Sequence, residues 1–105
     1  MSASPVSVEP GVFNPLSVPS FTRIRYAFDH SGYIATVRIF DSQGRIVKNL
    51  ANNILLASNG YYRWDGDRDD GAKANVGYYM VSFEVFDEHG KVKYFRTPVA
   101  VAATF

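Results

Sequence analysis

Four aspartates in one short stretch are the residues best placed for chemistry: Asp65, Asp67, Asp69 and Asp70, within Trp64-Asp65-Gly66-Asp67-Arg68-Asp69-Asp70-Gly71. Carboxylates at alternating positions begin the spacing of a calcium loop, in which side-chain oxygens converge on one hard cation. Against that use, the stretch lacks a distant bidentate Glu, and Arg68 and Lys73 put positive charge inside it. Asp and Gly also build turns without metal, since an Asp side chain accepts backbone N–H bonds and Gly takes positive φ. The turn reading is preferred. Calcium is the one cofactor weighed, and none other is expected.

A second chemistry is ring stacking. Trp64, the only tryptophan, stands with Tyr61, Tyr62, Tyr78 and Tyr79, and these rings would form a carbohydrate-binding platform if exposed together. A lone tryptophan at the end of a central strand is instead expected as a core plug, its indole N–H bonded to a nearby carbonyl. Half of the tyrosines must face outward by strand alternation. The two histidines, His30 and His89, each lie in a turn beside an acidic residue. Ser31 is only a sequence neighbour of His30, and neither a Gly-x-Ser-x-Gly elbow nor a His-Glu-x-x-His helix occurs, so no catalytic residue is assigned and no enzyme is expected. Arg23, Arg25, Arg38, Lys91, Lys93 and Arg96 are read as solvated charges. The less favoured reading is a basic stripe that docks an acidic partner.

Positioning these groups requires strands and tight turns. Phe21 to Phe28 alternates, with Ile24, Tyr26 and Phe28 on one face and Arg23, Arg25 and Ala27 on the other, the period of a half-buried strand. Ala35 to Asp41 repeats the pattern with Val37 and Ile39 inward. Phe40-Asp41-Ser42-Gln43-Gly44-Arg45-Ile46-Val47 and Phe86-Asp87-Glu88-His89-Gly90-Lys91-Val92-Lys93 share one hairpin chemistry. In each, Asp accepts N–H bonds and the Gly three residues later reverses the chain. Further strands are expected over 60–64, 78–86 and 91–101, with Pro98 at an edge or bulge. Residues 50–58 keep no clean period and are expected as a crossover with little regular structure.

Four of the five prolines (Pro5, Pro10, Pro15 and Pro19) fall in the first 20 residues. Residues 1–11 are therefore expected as a proline-rich linker and residues 12–105 as a single domain. The expected fold is all-β, an antiparallel immunoglobulin- or fibronectin III-like β-sandwich of about seven strands. The chain's 105 residues include 8 Phe and 7 Tyr, enough to close such a core without staples. With no cysteine, disulfides and thiolate zinc sites are excluded. A formal charge of +1 supplies no field to recruit nucleic acid, and no apolar run approaches the roughly 20 residues of a membrane-spanning helix. Neither nucleic acid binding nor membrane insertion is expected.

Taken in order, Pro10-Gly11-Val12-Phe13-Asn14-Pro15, Thr22 to Tyr26, Val37 to Val47, Trp64-Asp65-Gly66, Gly71 and Gly77-Tyr78-Tyr79 resemble one family. It is the FlgD-like immunoglobulin-like domain, named after the flagellar hook-capping protein. Through it the chain is similar to the C-terminal sorting domains of the type IX secretion system in Bacteroidetes. The resemblance spans residues 10–101, with Trp64, Asp65, Gly66, Gly71, Gly77 and Tyr79 as its structural signature. It implies a non-catalytic C-terminal sorting or cell-surface attachment module of a larger exported bacterial protein. The implied location is secreted or at the cell surface, and the implied partner is the secretion machinery or a surface component. Met1 to Pro5 lacks the basic and apolar regions of an export signal, so the chain is expected to be one domain of a longer protein. The alternatives are a carbohydrate-binding module and a passive stalk or assembly domain. Expected contact residues are Phe95, Arg96, Val99 and Val101 on the last strand, with exposed strand edges and the acidic loop.

Overall fold

The structure, a computed structural model, describes residues 4–17 and 20–103. Among the described residues eight strands are formed: β1 (Val6–Glu9), β2 (Val12–Phe13), β3 (Thr22–Ala27), β4 (Ile34–Asp41), β5 (Ile46–Leu55), β6 (Asn59–Trp64), β7 (Gly77–Phe86) and β8 (Val92–Val101). They make a three-stranded sheet in the order β1-β3-β6 and a five-stranded sheet in the order β2-β8-β7-β4-β5, here the small and large sheets. Pairing is antiparallel except where β2 runs parallel to β8, Val12 beside Ala100 and Phe13 beside Val101.

Alternation assigns the faces. Ala35, Val37 and Ile39 of β4 and Val81, Phe83 and Val85 of β7 are fully buried against Ile24 and Trp64 of the small sheet. Gly60 sits opposite Tyr26, whose ring occupies the room a side chain would need: a Cβ at Gly60 would lie 2.6 Å from the Tyr26 hydroxyl and 2.9 Å from Cζ. A glycine that weakens β6 is thus covered by a neighbouring ring.

Two segments differ from the expectations drawn above. Within the stretch expected as a linker, Val6–Glu9 pairs in register with Arg23–Tyr26, and Val6 is buried. Pro5 and Pro10 flank this edge strand, where a missing N–H costs no ladder bond. Residues 46–55 form a strand rather than an irregular crossover. Its pairing with β4 shifts register at three places, and Asn53 takes a φ of 54°. Buried positions therefore fall at Val47, Ala51 and, just beyond the strand, Leu56, a spacing that hides the two-residue period.

The two hairpins carry the expected chemistry. The Asp41 carboxylate accepts the N–H groups of Gln43 (2.9 Å) and Arg45 (3.0 Å). Asp87 accepts those of His89 (2.9 Å) and Lys91 (3.0 Å). Gly44 and Gly90 take φ of 81° and 78°. These donors hold both carboxyls below their ordinary pKa.

Candidate functional site

The acidic stretch closes around Trp64. The indole is fully buried and meets Phe13 and Tyr79 edge-on, with centroids 5.5 and 5.3 Å away. Its Nε1–H donates to the Asp67 carbonyl at 2.9 Å, as expected of a core plug. Gly66 and Gly71 turn the chain at φ of 75° and 87°, and a Cβ at Gly66 would lie 2.7 Å from the Pro15 ring. The Tyr79 hydroxyl donates to the carbonyl of Asn75, the back-bonding that fixes a tyrosine corner in immunoglobulin-type sandwiches.

The four carboxylates disperse. Asp65 pairs with Arg63. Asp67 accepts from Lys48 Nζ at 2.6 Å, a bond that raises the lysine's pKa. Asp70 accepts the N–H of Ala72 at 2.9 Å. Asp69 lies along the open edge of β5: its N–H donates to the Val47 carbonyl at 3.1 Å, and its carboxylate accepts the N–H (3.0 Å) and Nδ2 (2.8 Å) of Asn49. These bonds hold the Asp69 carboxyl below its ordinary pKa. Among the described residues no group of three or more His, Cys, Asp or Glu converges as a metal would require. The loop's visible role is to satisfy the outward backbone groups of an edge strand, a device that blunts edge-to-edge pairing.

Burial removes the alternative ring platform and corrects the expected contact residues. The ring platform built on Trp64 does not exist: Trp64 and Tyr79 are buried and Tyr62 half-buried, while exposed Tyr61 and Tyr78 belong to different sheets. Val99 and Val101 are 1% and 3% exposed, because alternation on β8 turns them inward with the half-buried Phe95. Of the four expected contacts, only Arg96 is exposed. The basic residues do not share one stripe either, since Arg23 and Arg25 lie on the small sheet and Arg38 and Arg96 on the large one. His30 and His89 sit in exposed turns, His30 stacked on Tyr33 at 4.7 Å.

The concave surface lies elsewhere. Outward residues of β4, β7 and β8 line a groove of about 660 Å³ across the large sheet. Register orders it in rungs. At one end Phe40 faces Met80 and Met80 faces Pro98, with Tyr78 beyond; in the middle Arg38 faces Ser82 and Ser82 faces Arg96; next come Thr36, Glu84 and Tyr94. Tyr78 and Tyr94 are 78% and 61% exposed, and among the described residues neither ring meets another aromatic ring or a cation. The sequence carried a sign of this face. On β7, Tyr78 and Met80 occupy the alternate positions where a solvated face would place small polar or charged residues.

Compared with protein-family models the chain matches none, and no curated protein matches it. Solved structures do resemble it. CopC from Methylosinus trichosporium OB3b superposes with a TM-score of 0.56 at 20% identity, over 91% of this chain and 89% of that one. FlgD from Xanthomonas campestris, described for the hook capping essential for flagellar assembly, gives 0.58 at 23% identity over 77% of this chain. FlgD from P. aeruginosa gives 0.61 at 17% identity over 83%. The matches span 58% and 66% of the two FlgD chains. At these identities what is shared is the fold: an immunoglobulin-like β-sandwich of the kind found in FlgD.

Proposed function

We propose that the chain is a non-catalytic assembly module, which attaches a larger exported bacterial protein to a protein partner at the cell surface through the outer face of its large sheet. The observation that carries this reading is the composition of the groove. Tyr78, Tyr94, Phe40, Met80, Arg38 and Arg96 are the residue types enriched in the buried centres of protein interfaces. The FlgD likeness supports a role in assembly, because the hook-capping protein shares the sandwich. The sorting role implied by the sequence resemblance is part of the same proposal.

The test is surface display. Removing residues 1–105 from the full-length protein is expected to abolish surface attachment, and the substitution pair Tyr78→Ser with Tyr94→Ser is expected to reduce it while leaving the melting temperature unchanged. Normal display of the deleted form would end the attachment reading. Normal display of the double variant would move the contact away from this groove.

A further inference from the structure

We infer that the groove receives an acidic segment of a protein partner, with a carboxylate held between Arg38 and Arg96 above Ser82. The inference rests on the docking role proposed above and adds the chemistry of what docks. Arg38, Ser82 and Arg96 lie on one rung of three neighbouring strands. Strands are spaced about 4.8 Å apart, so the two arginine stems stand about 10 Å apart with only a hydroxymethyl group between them. A carboxylate entering that gap meets a guanidinium on each side, the geometry that binds planar anions best.

Both arginines are available. Among the described residues the Arg96 guanidinium has no hydrogen bond or ion pair. Arg38 commits only its Nε, to the neutral Asn49 Oδ1 at 2.9 Å. Of the two carboxylates that line the groove, Asp41 is engaged by Arg45, and Glu84, two residues along β7 beside Tyr94, pairs with neither arginine. Glu84 therefore repels an acid displaced toward Tyr94 and keeps it on the arginine rung. On the other side, Phe40, Met80 and Pro98 offer apolar surface, suited to apolar side chains flanking the acid. A polysaccharide would have to set its hydroxyls against this apolar surface, where Tyr78, Ser42 and the Arg45-paired Asp41 supply the polar groups.

The test uses the chain of residues 1–105 with three probes: a fluorescent peptide alternating leucine and glutamate, its leucine–lysine counterpart, and polygalacturonate. The glutamate peptide is expected to bind, more weakly as salt rises, and the lysine peptide is not. The pair Arg38→Gln with Arg96→Gln should weaken binding at least about tenfold, the scale of one charge-assisted hydrogen bond. The pair Arg25→Gln with Arg63→Gln removes the same charge from exposed positions of the small sheet and should leave binding within about twofold, since exposed charges beyond a Debye length are screened. If the first pair melts early, Arg96→Lys replaces it; that variant keeps the charge, loses the fork and should bind several-fold more weakly.

Equal binding of both peptides, or equal loss from both glutamine pairs, overturns the inference. So does binding of polygalacturonate in place of the glutamate peptide. If the peptide results fail while Tyr78→Ser with Tyr94→Ser still reduces surface attachment, the acidic partner falls and the docking role stands.

Discussion

Replacing Trp64 by phenylalanine tests whether the acidic loop is held by its own core plug. The substitution removes the indole N–H, leaving the Asp67 carbonyl without that donor at a cost of about 1–3 kcal/mol. The smaller ring leaves a void between Phe13 and Tyr79, adding about 1 kcal/mol. The sum, about 2–4 kcal/mol, is a large share of the roughly 5–15 kcal/mol that stabilises a domain of this size. It corresponds to a fall in Tm of roughly 10–25 °C. Urea denaturation followed by far-ultraviolet circular dichroism measures the first quantity, and thermal melting the second. Exposed Tyr78→Phe serves as a control, expected within about 0.5 kcal/mol of the parent. Because Asp69 reaches Asn49 from the same loop, hydrogen exchange at the Asn49 amide should accelerate in Trp64→Phe. A loss below about 0.5 kcal/mol, with Asn49 protection intact, would refute the view that indole and loop form one unit.

Gly60→Ala places a methyl group against the Tyr26 ring and is expected to cost about 1–3 kcal/mol by overpacking; Gly60→Ala with Tyr26→Leu should recover part of that loss in the same denaturation assay. Asp41 and Asp87 have carboxyls held below the ordinary aspartate range by backbone donors. Their contribution is therefore complete above the unfolded value and is lost as pH falls through the lowered folded values. Acid titration of stability should show a fall below about pH 4 that is flatter in Asp41→Asn with Asp87→Asn; an unchanged slope would show that the turn carboxylates are not its source. Asp69→Ala removes the carboxylate that covers the Asn49 amide and side chain on the edge of β5, so light scattering should detect concentration-dependent association that the parent lacks.

The parts that follow a two-residue rhythm were legible before any coordinates. Ile24 on β3, Val37 and Ile39 on β4, and the paired Asp and Gly residues of the two hairpins declare their roles locally. β5 did not, because register shifts and the left-handed Asn53 break the period that reveals a strand. β1 was hidden by its prolines, which mark linkers and edge strands alike. The site was harder still. Arg38, Ser82 and Arg96 come from three strands, and only long-range pairing brings them together. Tyr78 on the large sheet faces solvent, whereas Trp64 on the small sheet faces the core.

The parallel pairing of β2 with β8 sets how the domain responds to pulling. Tension applied between the chain before Gly11 and the chain after Ala102 drives these two strands past each other in shear. The bonds from Ala100 N–H to the Gly11 carbonyl and from Ala102 N–H to the Phe13 carbonyl, 2.8 and 2.9 Å long, are then stretched together rather than peeled one after another. Phe13, buried against Trp64, must leave the core before the strands can slide. A module that tethers a cargo against flow would gain a mechanical latch from this arrangement, its rupture governed by a two-residue strand and one aromatic ring.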